Sequence, residues 1–150
     1  MARYKLIFAA LALMCVVVRA GESPRVSSRI IDGQLVPVSQ WPTVGKVVIS
    51  GTGYGSGTLI TPRHVLTAAH VIADDSGTVH PVGNVSFQLG GTTYTSRFLW
   101  VHPTYPPPAS EVEGKYDLGI ITLATPITNV TPSPLNRTVT PTVGMPLTIV

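Results

Sequence analysis

Along most of this chain apolar residues fall in short or alternating runs, and nowhere beyond the N-terminal segment do they recur with helical spacing. That pattern predicts strands. Six runs qualify: Val44 to Ser50, Gly57 to Thr61, His64 to Thr67, Val85 to Leu89, Tyr94 to Val101, and Leu118 to Leu123. Gly, Pro, Asp-Asp-Ser-Gly and Gly-Gly turns separate them. Six short strands at this spacing predict an all-β fold built on a small closed barrel, because closure removes exposed sheet edges. From Thr125 the pattern changes to a stretch rich in Thr, Pro, Ser and Asn, in which Pro126, Pro132, Pro134 and Pro141 disfavour both helix and central strand. Residues 125–145 are therefore expected to form an extended connector. Leu147-Thr148-Ile149-Val150 is again strand-like, so 146–150 reads as the start of a further unit.

The N-terminus departs from this pattern in another way. Arg3 and Lys5 precede an uncharged apolar run from Leu6 to Val18, and Val18-Arg19-Ala20 supplies small residues for cleavage. The run is roughly 13 residues long, against the ~20 that a helix needs to cross a bilayer. Residues 1–20 are expected to be a signal peptide, which places the remainder outside the cytoplasm, either extracellular or periplasmic.

Removing that segment changes the charge. The whole chain carries ten basic and seven acidic residues, for a net charge of +3. Without Arg3, Lys5 and Arg19 the two signs balance, and no basic stripe or charge run remains to engage nucleic acid. The single cysteine, Cys15, lies within the signal, where Met14 is too large for a typical lipidation site. The exported chain then has neither a disulfide framework nor a thiolate metal site. His64, His70, His80 and His102 have no H-E-x-x-H spacing and read as dispersed, so no metal and no cofactor is expected. Asn84, Asn129 and Asn136 head glycosylation sequons, which would matter in a eukaryotic secretory pathway.

Two stretches carry chemistry. Leu66-Thr67-Ala68-Ala69-His70-Val71 ends an apolar run on a titratable ring, and Tyr116-Asp117-Leu118-Gly119-Ile120-Ile121-Thr122-Leu123 sets one carboxylate at the mouth of an apolar strand. Burying that carboxylate costs several kcal/mol unless it is paired. An aspartate that accepts a hydrogen bond from Nδ1 of a histidine fixes the tautomer and frees Nε2 as a general base.

Both stretches resemble the trypsin/chymotrypsin-like serine endopeptidases. The first is similar to the turn that carries the family's histidine, and the second to the D-[IL]-[AG]-L-[IL]-x-L segment around its aspartate. The sequence distance between His70 and Asp117 is close to the roughly 45 residues found in chymotrypsin. Three further matches fall in order: Arg29-Ile30-Ile31-Asp32-Gly33 with the R-I-V-G-G activation junction, Gln40-Trp41-Pro42 with the opening of the first barrel, and Val101-His102-Pro103-Thr104-Tyr105 with H-P-x-Y.

The resemblance implies a chymotrypsin-like fold of two six-stranded β-barrels. This chain would hold a signal peptide (1–20), an activation peptide (21–29) released by cleavage between Arg29 and Ile30, the first barrel (30–124), the connector, and the first strand of the second barrel. It implies hydrolysis of peptide bonds by a Ser-His-Asp triad, with His70 as base, Asp117 as its orienting group, and proteins or peptides as substrates. Two features depart from the family. Val71 stands where animal trypsins have a cysteine, which brings the likeness nearer to cysteine-poor bacterial members, and Asp32 replaces a glycine of the junction. The family's serine lies in G-D-S-G-G, roughly 90 residues beyond the aspartate, and that motif does not occur here. Asp75-Ser76-Gly77 is a partial match within a polar turn, and Ser56 lies on a framework strand. The 150 residues are therefore expected to be a fragment, inactive by itself. Two other classes compete: a secreted protease homologue acting as a binding module, and a periplasmic quality-control protease of related fold, which would lack the Arg29-Ile30 junction.

Overall fold

Strand pairing follows the alternation. In the computed structural model, which describes residues 37–51, 53–107 and 115–146, six strands are present: β1 (Val44–Ile49), β2 (Gly53–Thr61), β3 (His64–Thr67), β4 (Val85–Leu89), β5 (Thr92–Val101) and β6 (Gly119–Leu123). They close into a barrel in the order β1-β2-β3-β6-β5-β4, and every neighbouring pair is antiparallel. The all-β closed barrel is thus observed. The leader, Cys15, the Arg29-Ile30 junction and the run Leu147 to Val150 lie outside the described residues.

Inward positions alternate with outward ones along each strand. Val47, Leu59, Val65, Phe87, Ile121 and Leu123 are fully buried, and together with Ile49, Val85, Leu89 and Leu99 they form one core. Phe87 is the largest of these side chains, and Gly45 makes room for it. A Cβ on Gly45 would collide with the Phe87 ring at 2.6 Å and with the Gln88 carbonyl oxygen, while one on Gly57 would collide with Val65 at 2.7 Å and Val47 at 2.9 Å. Small residues opposite a large one are how a narrow barrel is filled.

The β4–β5 hairpin turns on Gly90 and Gly91, with φ of +56° and +81°. Those values suit a two-residue turn whose twist matches the flanking strands. β2 and β5 each begin earlier than their apolar content predicts. Residues Gly53 to Ser56 look like turn chemistry, yet Gly53 and Tyr54 pair with Ile49 and Val48. Thr92 and Thr93 likewise pair with Leu89 and Gln88.

Beyond β6 the described chain has neither helix nor strand up to residue 146. It is nevertheless anchored to the barrel. The Ile127 amide donates to the Pro62 carbonyl at 2.8 Å, and the Ser133 amide to Leu59 at 2.9 Å. The Ile127 side chain is buried in the core. Arg63 donates to the carbonyl of Ala124 at 2.7 Å, which covers the end of β6. Among the described residues no helix is long and apolar enough to cross a membrane.

Candidate active site

His70 and Asp117 meet because β3 and β6 are neighbours. Thr67 at the end of β3 lies opposite Gly119 at the start of β6, so the residues just beyond one strand face those just before the other. After β3 the chain makes a single helical turn, α1 (Ala69–Ile72), closed by the Ala73 amide on the Ala69 carbonyl at 2.9 Å. Ala69 and Ile72 are fully buried and anchor the turn, which leaves His70 on the outside. Gly119 permits the close fit: a Cβ there would lie 2.8 Å from Ile72 Cδ1 and 3.1 Å from the Ala68 carbonyl oxygen.

One residue engages both oxygens of the carboxylate. The His70 amide donates to Oδ1 of Asp117 at 2.9 Å, and its ring nitrogen Nδ1 lies 2.6 Å from Oδ2. The imidazole is 61% exposed and the aspartate side chain 21%. His70 is therefore no core histidine, and its outward nitrogen, Nε2, remains open. Burial acts to raise the pKa of Asp117, but the hydrogen bonds from the His70 amide and ring, the ring's positive charge when protonated, and the Ala69 amide outweigh it and hold the carboxyl below the usual range. Asp117 is thus an anion at neutral pH, the form that accepts a hydrogen bond from Nδ1–H and leaves the Nε2 lone pair able to take a proton.

The approach to Asp117 has an unusual backbone. Tyr116 has φ +67°, and it is the one non-glycine residue with positive φ among those described. For a tyrosine this conformation costs on the order of 1–3 kcal/mol. Its ring stacks on His102, with centroids 4.9 Å apart and planes at 21°.

A cleft of about 440 Å³ opens beside His70, lined by Ile49, Tyr54, Ser56, Val71 and His80 among others. Ser56 thus shares the cleft with His70, but among the described residues no serine hydroxyl is hydrogen-bonded to the His70 ring. Ser76 is held elsewhere. Its hydroxyl donates to Asp74 Oδ1 at 2.6 Å and pairs with Thr78 Oγ1 at 2.8 Å, so the Asp-Ser-Gly stretch forms a self-contained turn. His64 is also in a local contact, with Nδ1 at 2.7 Å from Thr61 Oγ1. No three of His, Cys, Asp and Glu come together among the described residues.

Sequence reasoning did not find Tyr54 and His80 as cleft residues, nor Tyr116 as a strained neighbour of Asp117. A tyrosine in the left-handed region has no sequence signature, and the cleft is lined jointly by the β1–β2 hairpin, α1 and the segment that carries His80, which no single stretch of sequence shows.

Val71 packs against Gly55 across the cleft floor. The Cβ that Gly55 lacks would stand 3.3 Å from Val71 Cβ, near the roughly 3.8 Å typical of bridged cysteines. Gly55→Cys combined with Val71→Cys, in the chain without its leader, is expected to form a disulfide and to raise the unfolding free energy by about 3 kcal/mol, as suits a loop of about 15 residues. Urea unfolding with and without reductant reads the gain. Two titratable thiols in the oxidised, folded protein would refute it.

The sequence model of the family described as Trypsin matches residues 30–149. The chain is 39% identical over 69 residues to the proclotting enzyme of Tachypleus tridentatus, a match covering 43% of this chain and 18% of that protein. It is 30% identical over 109 residues to a trypsin of Simulium vittatum, covering 68% of this chain and 42% of that one. Among solved structures, the VesB protease of Vibrio cholerae shares the fold with a TM-score of 0.54 and 23% identity, over 69% of this chain and 33% of the other. The chain spans less than half the length of each of these relatives.

Proposed function

Because this chain belongs to the trypsin family, we propose that it supplies the base and the orienting carboxylate, His70 and Asp117, of a secreted serine endopeptidase. The observation that carries this reading is the double engagement of Asp117 by His70, at 2.9 Å through the amide and 2.6 Å through Nδ1. A carboxylate bound in this way holds the ring with Nδ1–H inward and the Nε2 lone pair outward. A serine brought against Nε2 would lose its proton to it as Oγ attacks the carbonyl carbon of the scissile bond. Asp117 would stabilise the imidazolium, which then returns the proton to the leaving amine. Water repeats the cycle on the acyl-enzyme, with His70 again as base.

The serine and the oxyanion donors beside it would come from polypeptide outside these 150 residues. Export by the 1–20 leader and activation at Arg29-Ile30 complete the reading. Protein or peptide substrates are what the family supports, and no step calls for a metal or an organic cofactor.

Fluorophosphonate labelling tests this. Antibodies raised against the barrel should capture, from the secreted fraction of the native source, a species heavier than 15.9 kDa that carries the probe. The 150-residue chain expressed alone should remain unlabelled. Probe on Ser56 or Ser76 of that short chain would overturn the need for an external serine. Capture of barrel-bearing species that never react would favour the binding-module class.

A further inference from the structure

A turn, and not a strand, sets the direction of the Asp117 side chain. The Leu118 amide donates to the Tyr116 carbonyl at 2.8 Å, which closes a three-residue turn centred on Asp117. Tyr116 leads into that turn with φ +67°, a region that only glycine occupies freely. A residue stays there when its surroundings hold it.

Here the surroundings are rings. The Tyr116 ring lies nearly parallel to the His102 imidazole, the Lys115 ammonium sits 5.0 Å from its centroid, and His102 also meets Trp100 in an edge contact at 6.2 Å. His102 is itself fixed at two points. Its amide donates to the Leu118 carbonyl at 2.9 Å, adding a rung to the β5–β6 ladder. Its Nδ1 accepts the Thr104 amide at 3.2 Å, which sets the plane of the ring. The hydrogen bonds to the Asp117 carboxylate come from Ala69 and His70, on the β3 side. On its own side the aspartate depends on the turn.

We propose that His102 and Tyr116 are positioning residues: their stacked rings hold the turn that aims the Asp117 carboxylate at Nδ1 of His70. The proposal rests on the reading of Asp117 as the group that orients a base, and extends it to side chains that act only through Asp117. Loosening the turn lets the carboxylate swing, weakens the hydrogen bond to Nδ1, and frees the His70 ring to take the other tautomer.

Nitrogen-15 NMR of the 150-residue chain, at a pH where His70 is neutral, reads the tautomer directly. In the unaltered protein the Nδ1–H form should predominate. His102→Ala and Tyr116→Ala are each expected to lower the ratio of Nδ1–H to Nε2–H about tenfold, as weakening a hydrogen bond to a charged group would. Alanine resists the left-handed region as tyrosine does, so Tyr116→Ala removes the ring that holds the residue there and carries the test if His102→Ala does not fold. His102→Phe keeps the stack and should restore the ratio. A ratio unchanged in the folded variants would overturn the proposal, even if their melting temperatures fall. The measurement reads geometry and not turnover, so its failure leaves the protease reading intact, and absence of protease activity leaves this result standing.

Discussion

Asp117→Asn is expected to lower kcat/KM of the serine-bearing protein about 10⁴-fold, which corresponds to ~5 kcal/mol of transition-state stabilisation. The reason lies in the two hydrogen bonds. Oδ1 accepts from the His70 amide and Oδ2 from Nδ1, and an asparagine has only one acceptor to serve both. If its oxygen stays on the amide, its NH₂ faces Nδ1 and selects the tautomer with Nε2 protonated. A ring in that state cannot take the serine's proton. Binding should change little, so the loss should fall on kcat with KM within a factor of about two. Steady-state kinetics on a peptide ester would check this, and a loss of less than about tenfold would mean that Asp117 does not orient the base.

Phe87→Ala should have the largest effect on the barrel itself, a loss of about 3–5 kcal/mol. The side chain is fully buried and its ring fills the space over Gly45 on the paired strand β1. A glycine has no side chain to move into the vacated space, so the cavity persists where a better-surrounded site would collapse. Against a typical total of about 5–15 kcal/mol, the variant would lose a large share of its stability. Urea unfolding measures the difference. A cost below about 1 kcal/mol would show that the barrel repacks.

Much of this could be read from the sequence because alternation is visible in it. Val85 to Leu89 and His64 to Thr67 are observed as expected from pattern alone: the first has apolar residues at every second position, and the second is a short run centred on Val65-Leu66 between turn residues. The early starts of β2 and β5 were less legible. Glycines and threonines on a hairpin arm are held by their partner strand, here Val48, Ile49, Gln88 and Leu89, and by nothing in their own composition. A four-residue helical turn is too short to show a period, so α1 could not be read. Ile127 looked like one apolar residue in a Pro/Thr-rich stretch, and its burial depends on the chain folding back over the barrel. His70 and Asp117 were singled out by the motifs around them. Their 2.6 Å separation is set by the β3–β6 register, and the conformation of Tyr116 by a ring contact that no local sequence rule specifies.

The strand order has a consequence for timing. β1-β2-β3 and β4-β5-β6 are each meanders, with short turns except between β5 and β6, which residues 102–118 link, and the barrel is these two sheets joined along two lines, β1 with β4 and β3 with β6. Local hairpins form fast, whereas pairings between distant segments wait on loop closure. His70 follows a strand of the first meander and Asp117 precedes a strand of the second, so their hydrogen bonds span one of the late joins. A nascent chain, or one with either meander unmade, has an ordinary surface histidine and an unpaired aspartate. Folding order itself therefore leaves the His70–Asp117 pair unmade until the barrel is whole.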